Sequence, residues 1–227
     1  MFDFYGKLKF LEKPVEELEA KPVEKGKILF YGHSLFARWS AAYGNRELSE
    51  DLRLKDGSLG CINHGFGGST SEDLLYYYDR LVRPYEPRAL VLATMANDTL
   101  HAIDMDQTLN NLFRLCHWAH ADFPGIPIYL MEYHPNPLMA TNKLPDRSHF
   151  GFHRKNYFNQ AIKLYAQTHE NVHVITLWDK PQFFAEGQLG NFREIREELF
   201  IEDKIHPSQA GYDVIAPIVR EALDDIL

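Results

Sequence analysis

Several short polar segments of this 227-residue chain carry the residue types that acyl transfer requires. They are Gly32-His33-Ser34, Gly65-Phe66-Gly67-Gly68-Ser69-Thr70, Ala96-Asn97-Asp98, Glu132-Tyr133-His134 and Asp203-Lys204-Ile205-His206-Pro207. A serine hydroxyl is a weak nucleophile until an imidazole takes its proton, and the imidazole works best when a carboxylate fixes its tautomer. Asp203 and His206 are spaced so that a loop can fold the carboxylate back onto its own histidine, leaving the far ring nitrogen for Ser34. A tetrahedral intermediate also needs donors aimed at its oxyanion. The backbone N–H groups of Ser34 and Gly68 and the side-chain amide of Asn97 can supply them.

These segments matter only if the fold brings them together. Lys27–Tyr31 is an apolar run ended by Gly32 and reads as a buried strand. Leu59–Asn63, Ala89–Thr94, Ile128–Met131 and Val172–Ile175 read as four more. Between them, helical spacing predicts helices over Glu72–Val82, capped by Ser69 or Thr70 and stopped by Pro84, around Leu109–Ala119, and over Tyr157–Thr168. A last helix runs from about Ser208 to Ile226, with Pro217 expected to kink or break it. Alternating strands and helices with continuous apolar strands predict a three-layer α/β/α domain, a doubly wound parallel five-stranded sheet. In such sheets ligands sit beyond the carboxyl ends of the strands, the edge where the chemical segments fall.

With the residues in that arrangement, the chain resembles the SGNH (GDSL-type) serine esterase family. Gly32-His33-Ser34-Leu35 resembles the block that carries the nucleophile and implies Ser34. Asn63–Thr70 resembles the second block and implies the Gly68 N–H as an oxyanion donor. Met95-Ala96-Asn97-Asp98 resembles the third and implies Asn97; Asp203–Pro207 resembles the DxxH block and implies Asp203 as orienter and His206 as base. The blocks occur in family order, and the resemblance implies a flavodoxin-like domain over residues 27–227. The charged stretch 1–26, with Pro14 and Pro22 expected to break it, reads as an extension packed on the outside of that domain. Two residues depart from the pattern. His33 stands where the family usually has aspartate, and Met95 where it usually has glycine.

Each segment also has a plainer reading. Ser34 by itself reads as a helix N-cap, Asn97 as a turn residue, and Asp98 as a brace of its turn. Gly65–Thr70 can cradle a phosphate at a helix N-terminus, but the third dinucleotide-fingerprint glycine is missing and no acidic strand end follows. His117/His120 and His149/His153 have helical spacing without an accompanying acidic motif, so no metal site is expected. His33, Met95, Tyr133, His134 and Arg147 are candidate substrate contacts. Arg147 lies in a long connection, Pro135 to about Phe150, that reads as a lid, a specificity loop or a surface excursion.

Composition narrows the function classes. Hydrophobic residues make up 45% and charged residues 25%, and a chain of this size can bury about 72% of its surface, enough for one core. A net charge of −8 argues against a nucleic-acid partner, because phosphate neutralisation needs a basic face. No apolar run approaches the ~20 residues of a membrane span. Cys61 and Cys116 read as buried thiols of a reducing compartment, and the first residues lack the pattern of a secretion signal. The expectation is a cytoplasmic serine esterase, without metal or organic cofactor, acting on a short-chain, most simply acetyl, ester of a small metabolite or carbohydrate. A thioesterase or lysophospholipase with the same residues, and a non-catalytic carbohydrate-binding relative, are the alternatives; oligomeric state is not legible.

Overall fold

The apolar runs pair as a sheet because each can be covered on both faces. The computed structural model describes residues 4–101, 103–139, 145–185 and 194–227, with the side chains of 4–9, 139 and 145–154 outside the description. Its strands are β1 (Ile28–Gly32), β2 (Cys61–Gly65), β3 (Ala89–Ala93), β4 (Ile128–Met131) and β5 (Val172–Ile175), all parallel in the order β2-β1-β3-β4-β5. That is the doubly wound order whose topological switch lies between β1 and β3. Side chains alternate strictly. Leu29, Tyr31, Leu90, Leu92, Ile128 and Leu130 enter one core, and Ile28, Phe30, Val91, Tyr129, Met131 and Ile175 enter the other.

The first core is covered by α1 (Phe4–Glu19), α4 (Ser71–Leu81), α5 (Met105–Asp122) and α6 (Pro145–Thr168). The second lies under α2 (Ser34–Ala37), α3 (Leu48–Asp51) and α7 (Gln209–Ala222). Helix α4 begins where the sequence places it. Thr70 is its N-cap, accepting from Asp73 N–H, and Asp73 returns a bond to the Thr70 N–H as a capping box. Both cysteines are free and buried.

Four elements differ from the sequence reading. Strand β2 starts two residues later than Leu59, because parallel pairing sets Ile28 opposite Cys61 and Gly32 opposite Gly65. Helix α1 runs through Pro14 instead of breaking there. Its buried stripe of Leu11, Val15 and Leu18 packs towards α4, and Arg80 of α4 grips Glu12 at 2.6 Å and Glu19 at 2.6 and 2.8 Å. The proline costs a helical hydrogen bond, but the packed face persists around it. Helix α7 likewise passes through Pro217, held by the burial of Ile215, Ile218 and Val219, and stops at Ala222. Helix α6 begins at Pro145, so the last six residues of the supposed connection, 145–150, are helical.

One buried charge holds the carboxyl ends of β4 and β5 together. The Glu132 carboxylate is fully buried. It accepts the N–H groups of Leu177 and Trp178 at 2.8 Å each and pairs with Lys163 Nζ at 2.6 Å. Exchanging Glu132 for glutamine keeps the size but leaves the ammonium without its counter-charge. The expected cost is about 2 kcal/mol of stability, read as a lower urea midpoint at unchanged slope.

Candidate active site

Strand β1 ends at Gly32 and the chain turns at once into α2, whose first residue is Ser34. The turn lies tight against β2. A Cβ at Gly65 would sit 2.2 Å from Ala37 N and 2.6 Å from the Phe36 backbone, so only glycine fits there. Asn63 closes the same corner, its Nδ2 donating to Phe36 O at 2.8 Å and its Oδ1 accepting the Gly65 N–H at 2.9 Å. From the opposite side Tyr212 of α7 donates to Leu35 O at 2.8 Å, and its ring stacks on Trp39 at 5.0 Å. Helix α7 is thereby clamped to the turn that carries Ser34.

The loop before α7 delivers the histidine. Ile201 N–H donates to His206 O at 2.9 Å, Lys204 N–H donates to Ile201 O at 2.9 Å, and Lys204 takes a left-handed φ of 60° to make the bend. Inside it Asp203 Oδ1 accepts the N–H groups of Ile205 and His206 at 2.9 Å each, and Oδ2 lies 2.6 Å from His206 Nδ1. Burial opposes ionisation of Asp203, but these donors outweigh it and hold the carboxyl below its ordinary value. With Nδ1–H committed to Asp203, Nε2 carries the lone pair, and it lies 2.9 Å from Ser34 Oγ. Ser34, His206 and Asp203, far apart in sequence, therefore stand in one line of hydrogen bonds.

The glycine turn and the loop after β3 close over the same point. A Cβ at Gly67 would lie 3.9 Å from Ser34 Cβ, and Gly68 has φ +83°. Asn97 uses one of its two side-chain N–H groups on Ser69 O at 2.9 Å, tying the two loops together. Asp98 adds a second tie. Its buried carboxylate accepts from Ser71 N–H at 3.1 Å, from the Ser71 hydroxyl, and from Thr108 Oγ1 at 3.2 Å. Burial raises the Asp98 carboxyl, and the Ser71 and Thr108 bonds oppose that. Met95 starts this loop at φ 85°, a conformation costing a side-chain-bearing residue about 1–3 kcal/mol. It is fully buried, and the packing holds it there.

Of the remaining candidates His33, Tyr133 and His134 are buried. His33 caps α2, its Nδ1 accepting the Leu35 N–H at 3.2 Å. Burial, reinforced by the rings of His134 and His206, pushes its pKa down to about 3, against a backbone hydrogen bond at Thr94. His134 stacks on Tyr133 at 5.3 Å and faces Phe200 at 5.8 Å and Phe183 at 6.4 Å. Burial pushes its pKa down to about 4. Tyr133 accepts from Asn136 Nδ2 at 3.2 Å, and Lys155 Nζ sits 4.1 Å above its ring. The Arg147 side chain lies outside the described residues.

Two contributors were not legible in sequence. Phe10 and Leu11 of α1 rest on the glycine turn, 3.4 and 3.9 Å from a Cβ at Gly68. The i, i+4 stripe from Leu11 was the available signal, obscured by Pro14. Asn159 of α6 pins Tyr133 by accepting its N–H at 2.9 Å and donating to its carbonyl at 3.2 Å. A buried asparagine on a helix face carries no sequence signature. Among the described residues no three His, Cys, Asp or Glu side chains are placed to hold a metal ion, and no helix is long and apolar enough to cross a membrane.

Against known proteins, residues 30–214 match the model of the GDSL-like lipase/acylhydrolase family. No functionally curated protein matches the chain. A GDSL-like lipase from Bacteroides thetaiotaomicron is structurally similar with a TM-score of 0.71 at 18% identity, covering 96% of this chain and 98% of that one. The psychrotrophic esterase EstA from Pseudoalteromonas sp., in a structure inhibited by monoethylphosphonate, gives 0.63 at 21% identity over 88% of this chain and 98% of that one. The lipase/acylhydrolase from Enterococcus faecalis gives 0.61 at 21% over 88% and 96%. At these identities the likeness is one of fold.

The buried imidazoles make stability pH-dependent. His33, His64 and His134 are pushed down to about 3, 4 and 4 from an ordinary 6.5, chiefly by burial. Below pH 6.5 the unfolded chain binds protons that the folded chain refuses, so stability falls as pH drops towards 4. Urea unfolding at steps from pH 7 to pH 4.5 should show uptake approaching three protons near pH 5; a flat profile contradicts the neutral assignment.

Proposed function

The chain belongs to the GDSL-like lipase/acylhydrolase family, and from that premise we propose that it is a serine esterase working through an acyl-enzyme. The observation that carries this reading is the relay of 2.6 Å from Asp203 to His206 and 2.9 Å from His206 to Ser34. His206 Nε2 takes the Ser34 proton as Oγ attacks the ester carbonyl, and Asp203 stabilises the imidazolium that forms. The carbonyl oxygen becomes an oxyanion held by the N–H groups of Ser34 and Gly68 and by the second N–H of Asn97. His206 then gives its proton to the departing alcohol. Water, deprotonated by the same nitrogen, hydrolyses the acyl-enzyme and restores Ser34. The residues balance every proton among themselves, so the reaction as proposed draws on no cofactor.

The acyl group in this reading is short, most simply acetyl, on a small metabolite or carbohydrate alcohol. Its support is the filled wall behind His206, where His134 is packed among Tyr133, Phe183 and Phe200. A long chain would have to displace stacked rings.

Hydrolysis of p-nitrophenyl acetate, butyrate and octanoate tests both levels. Acetate should be fastest. Ser34→Ala should lower kcat by about four to six orders of magnitude, and Asp203→Asn by about three to four, with binding little changed. Equal turnover by wild type and Ser34→Ala would refute the nucleophile. Rates rising with chain length would replace the short-acyl reading with that of a thioesterase or lysophospholipase.

A further inference from the structure

Helix α1 lies outside residues 30–214, the span that matches the family, yet it reaches the candidate site. Phe10 makes the contact. Its ring comes within 3.4 Å of a Cβ at Gly68 and is still 68% exposed. The ring therefore touches the glycine turn and leaves most of its surface in water. The neighbouring Gly67 would put a Cβ 3.9 Å from Ser34 Cβ, so Phe10 borders the turn that faces the serine. Two more apolar side chains stand in water beside the same machinery. Leu100, 76% exposed, donates its N–H to Asn97 O at 3.0 Å. Ile205, 37% exposed, donates its N–H to Asp203 Oδ1 at 2.9 Å and directly precedes His206. Single exposed apolar residues are ordinary on a protein surface. These three stand on separate segments, each attached to a different group of the site, and apolar surface gathered in this way marks a place for a ligand.

The order of the strands gives Phe10 a side. Gly68 follows β2 and His134 follows β4, while Ser34 beyond β1 and Asn97 beyond β3 lie between them in the order β2-β1-β3-β4. The β4 side is filled. His134 faces Phe200 at 5.8 Å, and Phe200 pairs with Pro207, the residue after His206. In the esterase reading the short acyl group faces those rings, so an ester lying across Ser34 extends its alcohol towards the β2 side, where Phe10 stands. The ring is held there by a packed helix, since Leu11 is fully buried and Arg80 pairs with Glu12 and Glu19. A ring positioned in advance offers contact area at little further cost in ordering. An alcohol with an apolar face takes that surface out of water, whereas a polyol would turn its hydroxyls towards carbon atoms that neither donate nor accept.

We propose that Phe10 is a specificity-determining residue, a contact supplied by α1 for the alcohol half of the ester, and that this alcohol presents an apolar face to it. Its place on the alcohol side rests on the esterase reading, whereas the contact of Phe10 with an apolar molecule does not. The two can therefore fail separately.

Hydrolysis of benzyl, ethyl and 2-hydroxyethyl acetate by the full chain tests this, because the three esters share the acyl group and differ in the alcohol. Benzyl acetate should have the lowest KM. Phe10→Ala should lower the benzyl-to-ethyl ratio of kcat/KM about fivefold, through KM and not kcat. Phe10→Tyr keeps the ring and should restore most of that ratio. An equal loss of kcat on all three esters would make Phe10 a support of the glycine turn and overturn the proposal. An unchanged ratio, or a wild-type preference for 2-hydroxyethyl over benzyl acetate, would overturn it too. Binding is read separately by NMR of the full chain with 13C-labelled phenylalanine, titrated with benzyl alcohol. The Phe10 ring signal, assigned by its absence from Phe10→Ala, should shift. A shift in a protein that hydrolyses no ester would uphold the apolar contact and refute the esterase reading. Hydrolysis that depends on Ser34, with the ratio unchanged and the Phe10 signal unmoved, would refute this proposal and leave the esterase reading standing.

Discussion

The hydrogen bond between Ser34 and His206 joins residues 172 positions apart, and most of the architecture can be understood as the means of holding it. Neither partner is anchored by its own segment. Ser34 sits on a one-turn helix too short to be stable alone, and His206 sits on a partly exposed loop. What fixes the distance is α7, which buries Ile215, Ile218 and Val219 on the sheet and reaches back through Tyr212 to Leu35 O. The same helix that follows the histidine therefore grips the turn that carries the serine. A shift of an ångström in its seating would open the relay, and the close contacts at Gly65 and Gly211 leave little room for one.

Electrostatics around this bond are arranged by exclusion as much as by pairing. Asp203 reaches His206 with its charge spread over two backbone donors and the ring, and the neighbouring imidazoles are buried deeply enough to stay neutral. Burial of a neutral histidine makes the protein less stable as pH falls. In a low-dielectric wall, neutral rings also leave the field at His206 to its carboxylate partner.

The loops that close over the serine are braced by bonds between loops. Asn97 to Ser69 and Asp98 to Ser71 tie the end of β3 to the start of α4, and Asp98 to Thr108 ties it to the first turn of α5. This bracing accounts for a methionine tolerated at φ 85°: the surrounding bonds and the buried side chain over-determine the backbone. Helix α1 adds a cover from outside the sheet, resting Phe10 and Leu11 on Gly68. Its attachment runs through the Arg80 pairs with Glu12 and Glu19.

Hydrophobic patterning was sufficient to read five strands, their parallel order of burial and the carboxyl edge, because continuous apolar runs can be satisfied only by a sheet covered on both faces. Local chemistry also made Thr70 legible as a cap, since it bonds within its own turn, whereas Asp98 braces its loop through Ser71 and Thr108, 27 and 10 positions away. The misreadings at Pro14 and Pro217 have one cause. A proline penalty is local, whereas the packing of Leu11, Val15 and Leu18, or of Ile215, Ile218 and Val219, is summed over the whole helix face. Residue types and order thus determined the fold class and the groups able to take part in acyl transfer. The tertiary structure alone decided the 2.9 Å between Ser34 and His206, the neutrality of His33, and the contact of α1 with Gly68. Each depends on distance and burial between segments far apart in the chain, and no local pattern encodes either.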